Sequence, residues 1–140
     1  MHMVETTKSR RELLEELKML RARLAELSQG DLAERVHFLQ SLRDAIPNPI
    51  FYKDAKGAYI GCNTAFADRV LGLPRDRIVG STVYDLPEAI PPHLADVYHQ
   101  QDLDLLKTSE VQVYEAPVKF TDGSEHQILF NKATLTDLHG

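Results

Sequence analysis

Pro47 and Pro49 flank Asn48 and divide the chain into two stretches that cannot share one architecture. Proline lacks a backbone N–H and pushes the residue before it out of the helical region, so a helix arriving here must stop and the chain must leave extended. Upstream, Ser9 to Ser28 contains no Gly or Pro, and Leu13, Leu17, Leu20, Leu24 and Leu27 recur at spacings of four, three, four and three. That is a heptad seam. With Leu17 and Leu24 at a and Leu13, Leu20 and Leu27 at d, Glu16 falls at g and Arg21 at the following e, where a parallel dimer would set opposite charges face to face. The seam spans about two heptads, fewer than a long coiled coil shows. A helix folded back on its own domain is the alternative, but such helices carry a wider apolar stripe. The expectation is an amphipathic, coiled-coil-like helix over residues 9–46 that pairs with a second copy, interrupted near 28–31 by Gly30. Asp31 and Glu34 then restart it as a connector bearing Leu32, Val36, Leu39, Leu42 and Ile46. Residues 1–8 read as a tail outside the fold, disordered or foreign to the protein.

Downstream, the residues switch to short runs separated by turn signals. Ile50 to Lys53 and Ala58 to Cys62 read as two antiparallel strands joined by the tight turn Asp54-Ala55-Lys56-Gly57. Asn63 is placed to cap a short helix over Thr64 to Leu71, which Gly72 can close in a left-handed conformation. A single turn over Arg75 to Val79, another near Thr82 to Leu86, and a longer helix over His93 to Thr108 follow. Val111 to Phe120 and Glu125 to Thr136 then form two strands around Thr121-Asp122-Gly123-Ser124. Val111 and Val113 sit on the opposite alternation phase from Tyr114, Ala116, Val118 and Phe120, which predicts a bulge or a strand covered on both faces. Pro117 predicts an edge position.

Composition removes several function classes. Sixteen Lys and Arg against 21 Asp and Glu give a net charge of -5, which disfavours nucleic acid as a partner. A single cysteine, Cys62, excludes an internal disulfide and a multi-cysteine zinc site, in keeping with a cytoplasmic, reducing location. No apolar run reaches the roughly 18 residues of a membrane span, and no leader opens the chain. Asp102 and Asp104, two apart on one helix, do not form a catalytic carboxylate pair, and neither a Ser-His-Asp set nor a phosphate loop appears. No catalytic residues are assigned.

The element order resembles a PAS sensor domain. The residues that carry the likeness are Ile50-Phe-Tyr-Lys-Asp54 with its glycine turn, Gly61-Cys-Asn-Thr-Ala-Phe66, Leu71-Gly-Leu-Pro74, Ile78-Val-Gly-Ser-Thr-Val-Tyr-Asp-Leu86 and the Asp122-Gly123-Ser124 turn. The resemblance implies an α+β fold over 47–140, an antiparallel sheet covered by short helices, with a small-molecule cavity in members that use one. It also implies a non-catalytic regulatory module, joined in its parent protein to a C-terminal output domain such as a histidine kinase or a diguanylate cyclase. Members end with a fifth, central strand between the first and fourth; here Asp137 to Gly140 read as a turn. The expectation is a final strand missing from this chain, with a strand supplied by another chain as the alternative.

If the phase of each element is right, Asn63, Tyr84, Tyr98, Asn131 and Lys132 face that cavity as ligand-pocket candidates. Each has a plainer reading as a cap, a core hydroxyl or a solvent-facing group, and Lys132 is expensive to bury without an anion. His99, on the long helix, is a weak haem candidate. His93 lies six residues from it, off the common face a metal pair needs, and no metal site is assigned. Flavin is disfavoured, because photosensory relatives place Asn, Cys and Arg consecutively, whereas here Cys62 precedes Asn63. The functional expectation is a small-ligand or dimerising sensor that signals through its flanking helix; a ligand-free dimerisation domain is the alternative.

Overall fold

The computed structural model describes residues 8–136 and Leu138, and divides into two compact units, 1–42 and 43–140. Most of the tail expected at 1–8, and part of the turn expected at 137–140, lie outside the described residues.

The first unit is helical. Helix α1 runs Arg10–Ala45, its last turn belonging to the second unit. Ser9 opens it with a reciprocal cap: Ser9 N–H donates to Glu12 and Glu12 N–H donates to the Ser9 hydroxyl. The interruption expected near 28–31 does not occur, and α1 continues through Gly30. A helical glycine costs only about 1 kcal/mol relative to alanine. Good helix formers on both sides and an Asp31–Arg35 ion pair one turn apart at 3.2 Å carry the helix past it. Leu13, Leu17, Leu20, Leu24 and Leu27 are all exposed, at 43–66%.

The second unit begins at Arg43 rather than at the expected Pro47, because the last turn of α1 is tied into it. Asp44 accepts from Arg75 and from the Thr64 N–H, and Arg43 donates to the Tyr52 hydroxyl. Strands β1 (Phe51–Lys53) and β2 (Tyr59–Cys62) pair antiparallel. Their turn is held by Asp54, whose side chain accepts from Lys56 N–H and Ala58 N–H while Gly57 takes φ +87°. A π-helical segment, Phe66–Leu71, ends at a left-handed Gly72. Helix α2 (Arg75–Ile78), a 3-10 turn at Val83–Asp85 and helix α3 (Pro92–Thr108) follow. Strands β3 (Gln112–Lys119) and β4 (Glu125–Lys132) close the order as a second antiparallel hairpin.

The β3–β4 register is regular throughout, so the bulge considered there is absent; Val111 and Val113 simply lie exposed. The register shift falls in the first hairpin instead. Tyr52 pairs with Gly61 and Lys53 with Tyr59, leaving Ile60 as the extra residue. Among the described residues β1 pairs only with β2 and β4 only with β3, so the sheet is two hairpins without a strand between them. Pro117 lies on β3, which has one partner, and costs no second ladder bond. The core joins Tyr59, Cys62, Phe66, Leu71, Ile78, Val83, Leu86, Ile90 and Ala95.

Candidate functional site

The inner faces of the two hairpins meet α3 at three charged side chains. Alternation along β1 turns Phe51 and Lys53 inward and Tyr52 outward. Along β4 it turns Ile128, Phe130 and Lys132 inward and leaves Leu129 and Asn131 exposed. On α3, Tyr98 and Asp102 are one turn apart and share a face. Lys53 Nζ donates to Asp102 Oδ2 at 2.6 Å and Lys132 Nζ to Asp102 Oδ1 at 2.9 Å. The three side chains are 10%, 12% and 17% exposed for Lys53, Lys132 and Asp102. Two ammonium groups therefore share one carboxylate.

Aromatic rings complete the surroundings. Lys53 Nζ lies 4.7 Å from the Tyr59 ring centre and 5.6 Å from that of Phe51. Lys132 Nζ lies 5.7 Å from Tyr114 and 5.9 Å from Phe51. Such contacts contribute about 0.5–2 kcal/mol each, rising as water is excluded. The Tyr59 contact depends on the bulge, since a regular ladder would set Ile60 opposite Lys53. Burial, which alone would raise the Asp102 pKa, is outweighed by the two lysines, and its carboxyl is held below the ordinary value. For Lys132, burial is likewise outweighed by Asp102, and its pKa is raised. For Lys53 burial wins, and its pKa is lowered.

Next to this cluster, Tyr114 donates to Gln101 Oε1 at 3.0 Å and stacks on Phe130 with centres 5.1 Å apart. Gln112, opposite Lys132 in the register, donates to the Gln101 carbonyl, but its buried Oε1 has no partner among the described residues.

The expected pocket residues separate in space. Lys132 belongs to the cluster, with Asp102 as its anion. Tyr98 is half-buried, its pKa raised mainly by burial. Tyr84 is exposed and donates to Asp96 at 3.1 Å. Asn131 is exposed, on the strand phase opposite Lys132. Asn63 is fully buried and fully bonded: Oδ1 accepts from Ile50 N–H at 2.9 Å and Phe66 N–H at 3.0 Å. Its Nδ2 donates to the carbonyls of Ile46 at 3.1 Å and Asn48 at 2.7 Å. This is a clamp on the chain entering β1, with no capacity left for a ligand. His99 packs its ring edge-on against Tyr84, centres 5.5 Å apart. Among the described residues no three His, Cys, Asp or Glu side chains gather as metal ligands. Cys62 is fully buried, and burial pushes its thiol pKa up.

Lys53 and Asp102 were missed as site residues. The signal was present: Lys53 shares the phase of Phe51, Lys132 that of Phe130, and Asp102 stands four residues after Tyr98. Three inward charges on three apolar faces need one another.

The same residues match a family model described as the PAS fold, over 43–140. The chain belongs to the PAS-fold family. A solved PAS domain from the Bordetella pertussis protein BvgS superposes with a TM-score of 0.62 at 25% identity, covering 76% of this chain and 78% of that one. In sequence, the chain is 32% identical to the virulence sensor protein BvgS of Bordetella pertussis over 69 residues, 49% of this chain and 6% of that protein. It is 30% identical over 94 residues to the uncharacterized protein y4lL of Sinorhizobium fredii, 67% of this chain and 11% of that protein. The chain therefore spans about a tenth or less of the length of these relatives. Among the described residues no helix is long and apolar enough to cross a membrane.

Proposed function

We propose that this chain is a non-catalytic sensor module of a signal-transduction protein, which takes up a small ligand on its inner face and passes the change on through α1. The observation that carries this is the PAS-fold match over 43–140 joined directly to a leucine-seamed helix. Sensory output needs an element with two packings of similar energy, and paired helices supply one at a difference of a few kcal/mol. The seam of Leu13, Leu17, Leu20, Leu24 and Leu27 fits a homodimer of parallel helices leading to a shared effector. The likeness to a virulence sensor protein favours a parent protein with a histidine kinase output; a diguanylate cyclase is the other output considered, and the cytoplasmic location is proposed from the single cysteine alone.

A second function, a ligand-free dimerisation domain, is favoured by one observation. The leucine seam of α1 stays exposed in the single chain, an apolar face that a second copy can cover whether or not a ligand binds. Native mass spectrometry with an absorbance spectrum of freshly purified protein separates the two. A dimer carrying extra mass or a chromophore is expected for the sensor; a dimer of bare chains, unchanged by any added small molecule, would replace it with the assembly role.

A further inference from the structure

We propose that α1 carries a second self-association face, Leu32, Val36 and Leu39, which takes the same stretch of a second copy of this chain in a pairing that excludes the one through Leu13 to Leu27. The inference rests on the proposed dimeric sensor and names its other packing. Leu32, Val36 and Leu39 follow one another at spacings of four and three, as Leu13, Leu17 and Leu20 do. All three are exposed, at 62%, 44% and 61%. Because α1 runs unbroken through Gly30, the sequence offset between the two faces fixes the angle between them. Leu32 stands 19 residues after Leu13, which at about 3.6 residues per turn places the second face about 100° round the axis from the first.

One pairing cannot bury both faces, since a coiled coil keeps a single heptad seam toward its partner. After Leu27 the first seam next falls on Asp31 and Glu34, each of which would meet its own copy across a parallel pair. Like charges there end that seam, and Leu32 stands two residues short of position 34, which would have carried it on. A second copy fits the second face because knobs-into-holes packing needs the same spacing on both helices. Its flanks bring no unpaired like charges together: Ala33 and Gln40 lie on one side, Arg35 and Leu42 on the other, and Arg35 is held by Asp31 at 3.2 Å in its own helix. The next seam position is Arg43, which is committed to Asp44 and Tyr52, so the face ends at Leu39. Three apolar residues against five make this the weaker pairing, and a difference of about a hundredfold in affinity leaves it a minor state of roughly 1%. Exchange between the two turns each helix by about 100° without unfolding it.

The test is disulfide trapping in the intact chain under mild oxidation, with single substitutions Leu20→Cys, Leu39→Cys and, as a control for chance collision, His37→Cys. His37 is exposed, beyond the stretch of the first face and on the far side of the helix from the second. Native Cys62 is fully buried, and the parent chain reports its background. L20C should link fastest, and L39C more slowly but at least about tenfold faster than H37C. A chain carrying both L20C and L39C should give dimers bonded at one position or the other, never at both. Inserting two alanines after Gly30 carries the second face onto the first seam and should tighten the dimer by about a hundredfold or more in sedimentation equilibrium, whereas inserting one should not. L39C linking no faster than H37C, dimers bonded at both positions, or a two-alanine insertion that leaves the affinity unchanged would each overturn the second, exclusive face and leave the sensor role standing. L20C falling to the H37C level overturns it too, by removing the first pairing, whereas loss of the sensor role requires the bare, unresponsive dimer described above.

Discussion

Replacing Asn63 with alanine should cost about 3 kcal/mol, and the figure can be built from its contacts. The side chain is fully buried and makes four hydrogen bonds between 2.7 and 3.1 Å, to Ile50 N–H, Phe66 N–H and the carbonyls of Ile46 and Asn48. At about 1 kcal/mol net per bond the sum is roughly 4 kcal/mol. Three of the partners are only partly buried, so water replaces part of what is lost, and about 3 kcal/mol remains. All five tyrosines, Tyr52, Tyr59, Tyr84, Tyr98 and Tyr114, lie after residue 43, so tyrosine fluorescence follows the second unit without interference from α1. With a urea slope of roughly 1.5 kcal/mol/M for a domain of this size, the midpoint should fall by about 2 M. Asn63→Asp is the control: it keeps both acceptor bonds but sets an oxygen against two carbonyls, and should lose as much or more. A midpoint shift for N63A below about 0.5 M at unchanged slope would refute the claim that this clamp fixes the chain entering β1.

Three further outcomes are expected. Leu20→Lys, in the middle of the exposed seam, should convert a dimer to a monomer in sedimentation equilibrium at about 100 μM; a parent chain that is itself monomeric there would remove the helix pairing. A Cβ at Gly61 would run into the Tyr52 ring, so Gly61→Ala should cost about 1 kcal/mol by swinging that ring off its Arg43 bond. Added Tyr52→Ala should make the glycine change nearly neutral, and plain additivity in the cycle would exclude the clash. Asp102 has a folded pKa below its ordinary 3.8, so the stability it contributes is present above that value and lost as pH falls through the folded one. Asp102→Asn should therefore cost about 3 kcal/mol near neutral pH, with the gap to the parent chain closing below about pH 4. A gap that stays constant down to pH 2 would mean that Asp102 is not ionised against its lysines.

What could be seen in the residues divides by the range of the interaction. The first hairpin, its Asp-Gly turn, the left-handed Gly72 and the proline stop were legible because each is set by the φ and ψ limits of one or two residues. Gly30 misled, since its local cost of about 1 kcal/mol is small beside the propensity summed over the surrounding turns. The valines at 111 and 113 suggested a bulge because exposure was not weighed against alternation; they are apolar residues in water, which is ordinary. Asn63 could be placed as a cap from sequence, but its bonds to Ile46 and Asn48 reach 17 and 15 residues back and follow only from the path of the linker. The charged cluster was hardest to see. It joins positions 53, 102 and 132, and each member alone has a sufficient explanation as a surface group.

Ile60, the additional residue in β2, makes the length of the first hairpin a determinant in its own right. Deleting it would restore a regular ladder that still sets Tyr59 opposite Lys53, removing the added twist of the bulge without altering any residue type that a substitution scan would examine. The spacing between the glycine turn and the asparagine clamp therefore governs how strongly this hairpin twists, a property that the identities of Lys53 and Tyr59 alone do not carry.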